Sequence, residues 1–213
     1  MERDYRVDAA RSETDVVCRV FHLKLKALIS EVKAGVNGPP LCWLYIIEFQ
    51  KRGLPHVHML VTHCDFKPNN TVVINMNCAA EIPDPIAIPR AYQTVCNSMM
   101  HGPCSVQRCL NERGYCNNGY PHRYCNGTII VPNGYPTLRC RNFSCINFNM
   151  ANNRTRAAHN TFVVPYSPYF ILRYNCHLCV LVVTMLEGGI KYLFKYVSKD
   201  STLDHSCFNK TRR

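Results

Sequence analysis

Residues 41–61 carry the strongest structural pattern in the chain, LCWLYIIEFQKRGLPHVHMLV. The run Leu41–Glu48 is rich in aromatic and branched apolar residues, and the run Pro55–Val61 follows it after the polar turn Lys51–Gly53. Runs of this kind form β-strands, and two strands joined by so short a connection pair as an antiparallel hairpin. The stretch therefore predicts a fold built on an antiparallel sheet.

Helical patterns lie on either side of this hairpin. Apolar residues at helical spacing predict three helices: Thr14–Lys33, Arg90–Met100 and Ile190–Lys199. Ser12 or Thr14 can cap the first of them. Two further apolar runs, Phe162–Val164 and Tyr169–Val183, are typical of strands, whereas prolines interrupt regular structure between residues 65 and 89. Together these segments predict an α+β fold.

The composition indicates a globular protein with an anionic partner. Of the 213 residues, 47% are hydrophobic and 18% are charged, and the formal net charge is +11. Such a charge favours nucleic acid as the partner, with an anionic membrane surface second. No apolar run is long enough to span a bilayer, which excludes a membrane-embedded protein. The length suits a single domain, residues 1–213, with a small insert.

Fourteen cysteines are better explained as intracellular thiols than as disulfides. Residues Met1–Arg11 are charged and lack the apolar stretch of a secretory signal. Several cysteines fall in residues 100–149, which are rich in Cys, Asn, Gly, Arg and Tyr and show no period. We therefore expect a loop-rich insert that depends on something other than a hydrophobic core.

Four residues of this insert have the spacing H-x2-C-x4-C-x6-C: His101, Cys104, Cys109 and Cys116. This spacing can close a tetrahedral zinc site, which would stabilise a segment with little core. Further candidate ligands are His122, Cys125, Cys140 and Cys145. The alternative is that these thiols bind no metal.

The second strand of the hairpin carries a pair of histidines. His56 and His58 point to one face of the strand because side chains alternate, with Val57 directed toward the core. Glu48 and Gln50 share a face of the preceding strand, so either could complete a site for a divalent metal. Such a site leaves coordination positions open to polarise a phosphate oxygen. Two histidines on a solvated face are the alternative.

Two tyrosines lie four residues apart on the last predicted helix. Tyr192 and Tyr196 therefore face the same place, beside a stripe formed by Lys191, Lys195 and Lys199 that could hold phosphates. A tyrosine hydroxyl can attack a phosphodiester and form a covalent phosphotyrosine link. An amphipathic helix with its aromatic side in the core is the alternative.

Five segments, in order, resemble the Rep domain of Helitron transposon proteins: residues 46–58 (IIEFQKRGLPHVH), 81–85 (EIPDP), 101–104 (HGPC), 163–169 (VVPYSPY) and 191–196 (KYLFKY). The resemblance covers about residues 15–199. It includes the His-Gly-Pro-Cys segment and the two cysteines after it, which match the four predicted zinc ligands. Five ordered matches are far more specific than either short motif alone.

The resemblance implies a His-hydrophobe-His (HUH) endonuclease, in which a five-stranded antiparallel sheet with flanking helices carries the histidines. It implies Mg²⁺ or Mn²⁺ at His56 and His58, and nucleophiles at Tyr192 and Tyr196. The reaction would nick and transfer single-stranded DNA at transposon ends, as in rolling-circle-like transposition. The DNA phosphates would contact five basic residues: Lys51, Arg52, Lys191, Lys195 and Lys199. A DNA substrate implies residence in the nucleus.

The chain departs from this family at its two ends and in the insert from Asn117 to Asn149. A strand with a Thr-Leu-Thr-Cys-Asn-Pro-like motif, expected upstream of Thr14, is missing, and so is the helicase domain that normally follows. No phosphate-binding loop is present, so the residues give no basis for ATP hydrolysis. Lys199-Asp200-Ser201 also replaces the usual ending.

Two further function classes remain open beside the nickase. One is a truncated, inactive remnant of the transposon that acts as a basic, zinc-containing DNA-binding module. The other is an RNA-binding zinc protein, which fits the charge but leaves the ordered motifs unexplained.

Overall fold

A computed structural model describes residues 2–49, 54–63, 70–102, 104–106, 109–131, 135–142, 146–149 and 155–179. Within these ranges the protein is α+β, with four α-helices and two separate two-stranded antiparallel sheets. The chain divides into two compact units, one of Met1–Phe66 with Met185–Arg213 and one of Lys67–Thr184. The single domain expected from the sequence stays a prediction, and each unit is described by itself.

The first unit begins with the long helix α1, Glu2–Lys33. Its end is as predicted, but its start is wrong by twelve residues, and Ser12 and Thr14 lie inside the helix instead of capping it. The sequence before Thr14 contains no Gly or Pro and includes strong helix formers, so nothing in it stops the helix. At the other end, Lys33 Nζ lies 5.2 Å from the centre of the Trp43 ring.

The predicted hairpin is confirmed as strands β1, Pro40–Phe49, and β2, Pro55–His63. They pair in antiparallel register, with Ile46 opposite His58 and Glu48 opposite His56. Residues directly opposite each other project from the same face of a sheet. One face of the hairpin therefore carries both histidines and the glutamate.

The second unit contains three short helices: α2, Thr71–Asn77; α3, Pro89–Ser98; and α4, Pro168–Tyr174. A small sheet pairs β3, Ile146–Asn149, with β4, Thr155–Ala158. The helix α2 was not expected from the sequence. Its signal is Asn70, whose Oδ1 accepts hydrogen bonds from Val72 N at 3.0 Å and Val73 N at 3.4 Å. An N-cap of this kind is typical of a helix start.

The strand expected at Tyr169–Val183 is wrong, because the chain forms the helix α4 at its start. Ser167 caps this helix, and Pro168 occupies its first turn, where its missing N–H costs nothing. Asn175 ends it in the left-handed conformation, with φ of 46°. The strand expected at Phe162–Val164 is also wrong: Asn160–Phe162 is a 3₁₀ turn, and Val163 makes one isolated bridge to Met100.

The core of the second unit lies between α3 and α4. Its buried residues are Ala91, Val95, Met99, Val163, Tyr166 and Ile171. Two backbone hydrogen bonds join the end of α3 to the chain before α4, Val164 N to Met99 O and His101 N to Phe162 O, both at 2.7 Å. The start of the cysteine-rich insert is thereby fixed to the core.

Candidate functional site

The histidine pair and Glu48 form a cluster on the β1–β2 hairpin. His58 Nε2 lies 3.4 Å from Glu48 Oε1, and the His56 and His58 rings are 4.7 Å apart between centroids. The His58 side chain is only 7% exposed, and that of Glu48 is 22% exposed. The register explains the cluster, because Glu48 lies directly opposite His56.

The structure thus brings together three of the four residues that the sequence predicts as metal ligands in this hairpin. The fourth, Gln50, lies outside the described residues. The burial of the strand differs from expectation: Val57 is only half-buried, whereas His58 and Ile46 are buried on the histidine face. Two imidazoles and a carboxylate are a suitable donor set for a divalent cation, and their role as its ligands stays a prediction.

The four residues of the predicted zinc site converge in the second unit. Their ligand atoms all lie within 4.8 Å of one another, so the cluster can hold a metal ion. His101 Nε2 lies 3.3 Å from Cys116 Sγ, 3.4 Å from Cys104 Sγ and 3.7 Å from Cys109 Sγ. A tetrahedral zinc ion, about 2.3 Å from sulfur and about 2.1 Å from nitrogen, separates these ligand atoms by about 3.6 Å. The observed distances lie around that value.

Backbone hydrogen bonds hold the cysteines of this Cys/His centre (His101, Cys104, Cys109 and Cys116) in position. Cys109 N donates to Ser105 O at 3.0 Å, and Asn117 N donates to Cys109 O at 2.7 Å. Leu110 and Cys116 form an antiparallel bridge, which brings the second half of the loop back to the first. The centre is therefore built by local structure within one short segment.

The electrostatics of the centre differ between its thiols. Burial raises the pKa of Cys116, but backbone N–H groups of Tyr120 and Asn118 and hydrogen bonds with the other two thiols lower it below its ordinary value overall. Burial, together with the neighbouring thiols of Cys109 and Cys116, raises the pKa of Cys104 to about 11. Amide donors directed at a cysteine sulfur stabilise its thiolate form, which is the form that binds a metal.

The other candidate ligands of the insert lie elsewhere. Tyr120 stacks on the His101 ring at 4.0 Å between centroids, and His122 packs on Tyr120 at 4.2 Å, where burial lowers its pKa. Cys125 and Cys140 exchange two backbone hydrogen bonds, both 2.8 Å long, in an isolated bridge. Cys145 lies outside the described residues.

The remaining predicted site residues also lie outside the described residues: Tyr192, Tyr196, Lys51, Arg52, Lys191, Lys195 and Lys199. The predicted helix Ile190–Lys199 and the turn Lys51–Gly53 are likewise outside them.

Sequence reasoning missed a cavity of about 460 Å³ beside the Cys/His centre. Tyr115 and Phe162 contribute to its lining although they are far apart in the sequence. The sequence signal for it is that residues 101–141 contain four tyrosines. In the structure one of them, Tyr115, is 70% exposed.

The structure defines an α+β protein with one Cys/His cluster that can hold a metal ion. Residues 2–61 match the family model of the Helitron helicase-like domain at the N-terminus, a segment that includes His56, His58 and Glu48. The match supports a Helitron-related protein with a transposon-related function and an association with nucleic acid. No curated protein matches the chain. Among the described residues, no helix has the length and apolar character needed to cross a bilayer.

Proposed function

We propose that this protein is an HUH-type endonuclease that nicks single-stranded DNA and transfers the strand in rolling-circle-like Helitron transposition. The observation that carries the proposal is the cluster of Glu48, His56 and His58 on one face of the hairpin. This cluster lies inside the segment that matches the Helitron family model. Two imidazoles beside a carboxylate are a donor set that suits a divalent cation.

In the proposed reaction, the hydroxyl oxygen of Tyr192 or Tyr196 attacks the scissile phosphorus. The bond from phosphorus to the 3′ oxygen breaks, the 5′ phosphate becomes esterified to tyrosine, and a free 3′ hydroxyl leaves. Attack of a 3′ hydroxyl on the phosphotyrosine reverses these bonds and joins the strands. Mg²⁺ or Mn²⁺ held by the histidine pair with Glu48 or Gln50 would supply charge stabilisation at a phosphate oxygen.

The charge of the chain supports a single-stranded DNA substrate. A formal net charge of +11 favours a polyanion, and the proposed phosphate contacts are five basic residues: Lys51, Arg52, Lys191, Lys195 and Lys199. In Helitron proteins a helicase domain would supply the unwound strand. Because the proposed substrate is DNA at transposon ends, we also propose that the protein resides in the nucleus.

We also propose that the Cys/His centre binds a structural zinc ion. The support is the set of three N···S distances, 3.3, 3.4 and 3.7 Å, around one histidine nitrogen. Three thiolates and one imidazole form a closed tetrahedral set, which is typical of structural sites and leaves no position for a substrate.

A covalent protein–DNA adduct tests the nickase. Purified protein is mixed with Mn²⁺ and a single-stranded oligonucleotide labelled at either end, then separated under denaturing conditions. We expect an adduct that requires the metal, persists in Tyr135→Phe and His22→Ala controls, and is lost in His56→Ala/His58→Ala. Tyr192→Phe and Tyr196→Phe identify the attacking residue.

The alternative is a basic, zinc-containing DNA-binding module without catalysis, which the Cys/His centre and the charge also fit. Salt-sensitive DNA binding does not separate the two functions, because both predict it. The absence of any adduct from folded protein that binds single-stranded DNA would contradict the nickase and support the module.

A further inference from the structure

The Cys/His centre forms one wall of the cavity of about 460 Å³ in the second unit. The rest of the lining is mainly apolar and aromatic: Leu110, Tyr115, Tyr120, Pro121 and Phe162. Sites for small organic groups have volumes of about 300–1,000 Å³ and linings of this character. The cavity is thus large enough to accept a flat aromatic group, and it is open to the surface.

Tyr115 presents its ring from a fixed backbone. Its N–H donates to Asn111 Oδ1 at 2.9 Å, and its carbonyl accepts from Asn111 N at 2.8 Å. The residue is nevertheless 70% exposed. At the neighbouring Gly114, which also lines the cavity, no atom lies within 4 Å of a Cβ built on its backbone, so this side of the cavity is open.

Tyr120 forms a second aromatic wall that the Cys/His centre holds in place. Its ring lies nearly parallel to that of His101, with an interplanar angle of 11° and 4.0 Å between centroids. Because His101 is one of the four clustered ligands, a bound metal would fix the imidazole and, through it, the tyrosine ring. A metal-bound centre would therefore hold one aromatic wall of the cavity in place.

Basic residues outnumber acidic ones in the segment that lines most of the cavity. Residues 101–141 contain five arginines and one glutamate and no lysine or aspartate. Arg139 and Arg141 are paired with Glu81, and including this carboxylate gives 5 − 2 = +3. Arg113 and Arg123 are exposed, the first two residues before Tyr115 and the second three residues after Tyr120. Aromatic rings interleaved with arginines are the usual features of a surface that binds single-stranded nucleic acid, since bases stack and phosphates pair with the cations.

We propose that this cavity binds an unpaired base of single-stranded DNA, stacked on Tyr115, with the adjoining phosphates near Arg113 and Arg123. A base in a duplex is already stacked and paired, so the cavity selects single strands. The choice of DNA as the polymer rests on the proposed function.

Fluorescence anisotropy with the zinc-loaded full chain and a labelled oligodeoxythymidylate tests this proposal. Tyr115→Ala should raise Kd by about 5- to 150-fold, the range that one lost base–aromatic stack produces, whereas Tyr115→Phe should change it by less than about twofold. Tyr135→Ala is the matched control, because Tyr135 is also exposed, at 47%, and does not line the cavity.

Equal affinity of Tyr115→Ala and the wild type, at equal zinc content, overturns the proposal. The proposal is also overturned if Tyr115→Ala loses as much affinity for duplex DNA of the same sequence as for the single strand. The adduct assay on the same preparations separates this result from the nickase. Binding that depends on Tyr115, without an adduct, supports base binding in the cavity and contradicts the nickase. An adduct together with binding that does not depend on Tyr115 supports the nickase and contradicts base binding in the cavity.

Discussion

Arg141 grips the carboxylate of Glu81 through three hydrogen bonds. Its backbone N and Nε donate to Oε1 at 2.8 and 2.9 Å, and its Nη2 donates to Oε2 at 2.8 Å. Arg139 Nε adds a fourth bond, to Oε2 at 3.0 Å. The Glu81 side chain is only 9% exposed, and it lies about sixty residues before its partners in the sequence. This contact joins residues 139–141 of the cysteine-rich insert to the segment before α3.

Replacing Glu81 by Gln should destabilise the second unit. The amide keeps the shape of the carboxylate but loses its charge, and its NH₂ group faces arginine donors instead of accepting from them. We expect a loss of about 1–3 kcal/mol in the free energy of unfolding, measured by urea denaturation. Glu112→Gln, at an exposed position, is the control and should unfold like the wild type. Identical midpoints for the two variants would show that the Glu81 contact contributes nothing.

The same contact predicts a pH dependence. Burial raises the pKa of Glu81, but the hydrogen bonds of Arg141 and the charge of Arg139 offset this and hold it below the usual 4.5. A depressed folded pKa means that the carboxylate stabilises the protein above its unfolded pKa and loses this contribution as the pH falls through its folded pKa. The difference in unfolding free energy between the wild type and Glu81→Gln should therefore stay constant near neutral pH and shrink below about pH 4.5. A difference that grows on acidification contradicts this sign.

The Cys/His centre should bind a single zinc ion per chain. Cys116→Ser and His101→Ala should each reduce the zinc content, measured by elemental analysis after gel filtration, because a structural site needs all four ligands. Cys42→Ser is the matched control, since Cys42 is exposed on β1 and belongs to the other unit. Chelation should expose the insert to limited proteolysis in the wild type. Full zinc content in Cys116→Ser would show that Cys116 is not a zinc ligand.

Asn175 should be replaceable by glycine more readily than by alanine. Its φ of 46° costs an alanine about 1–2 kcal/mol that glycine does not incur. Both variants lose the hydrogen bond in which Thr94 Oγ1 donates to Asn175 Oδ1 at 2.8 Å. Thermal unfolding should therefore rank the wild type first, Asn175→Gly second and Asn175→Ala last. Alanine at least as stable as glycine would mean that the backbone relaxes out of the left-handed region.

The sequence predicts best where a few neighbouring residues determine the structure. The hairpin follows from two apolar runs and a short turn, and the convergence of His101 with three cysteines follows from ligand types at short spacing. The run at Tyr169 could not be assigned in this way, because a short apolar segment fits a buried helix as well as a strand. The Ser167-Pro168 pair, an N-cap followed by proline, was the signal that identifies α4.

Contacts between distant segments were beyond prediction. Glu81 meets Arg141 and Tyr115 lines a cavity with Phe162 only because the second unit folds them together. No periodicity or spacing in a single sequence encodes such pairs. The predicted start of α1 was wrong for a different reason. A residue that can cap a helix does not mark its first turn when helix formers precede it.

All four ligands of the Cys/His centre fall within the fifteen-residue separation of His101 and Cys116. A nascent chain that has emerged as far as Cys116 therefore already holds every group the metal needs, and closing so short a loop is fast. The contacts of this insert with Glu81 and Phe162 must wait until residues 139–162 have been synthesised. Binding of the proposed zinc ion can thus precede formation of the hydrophobic core during translation.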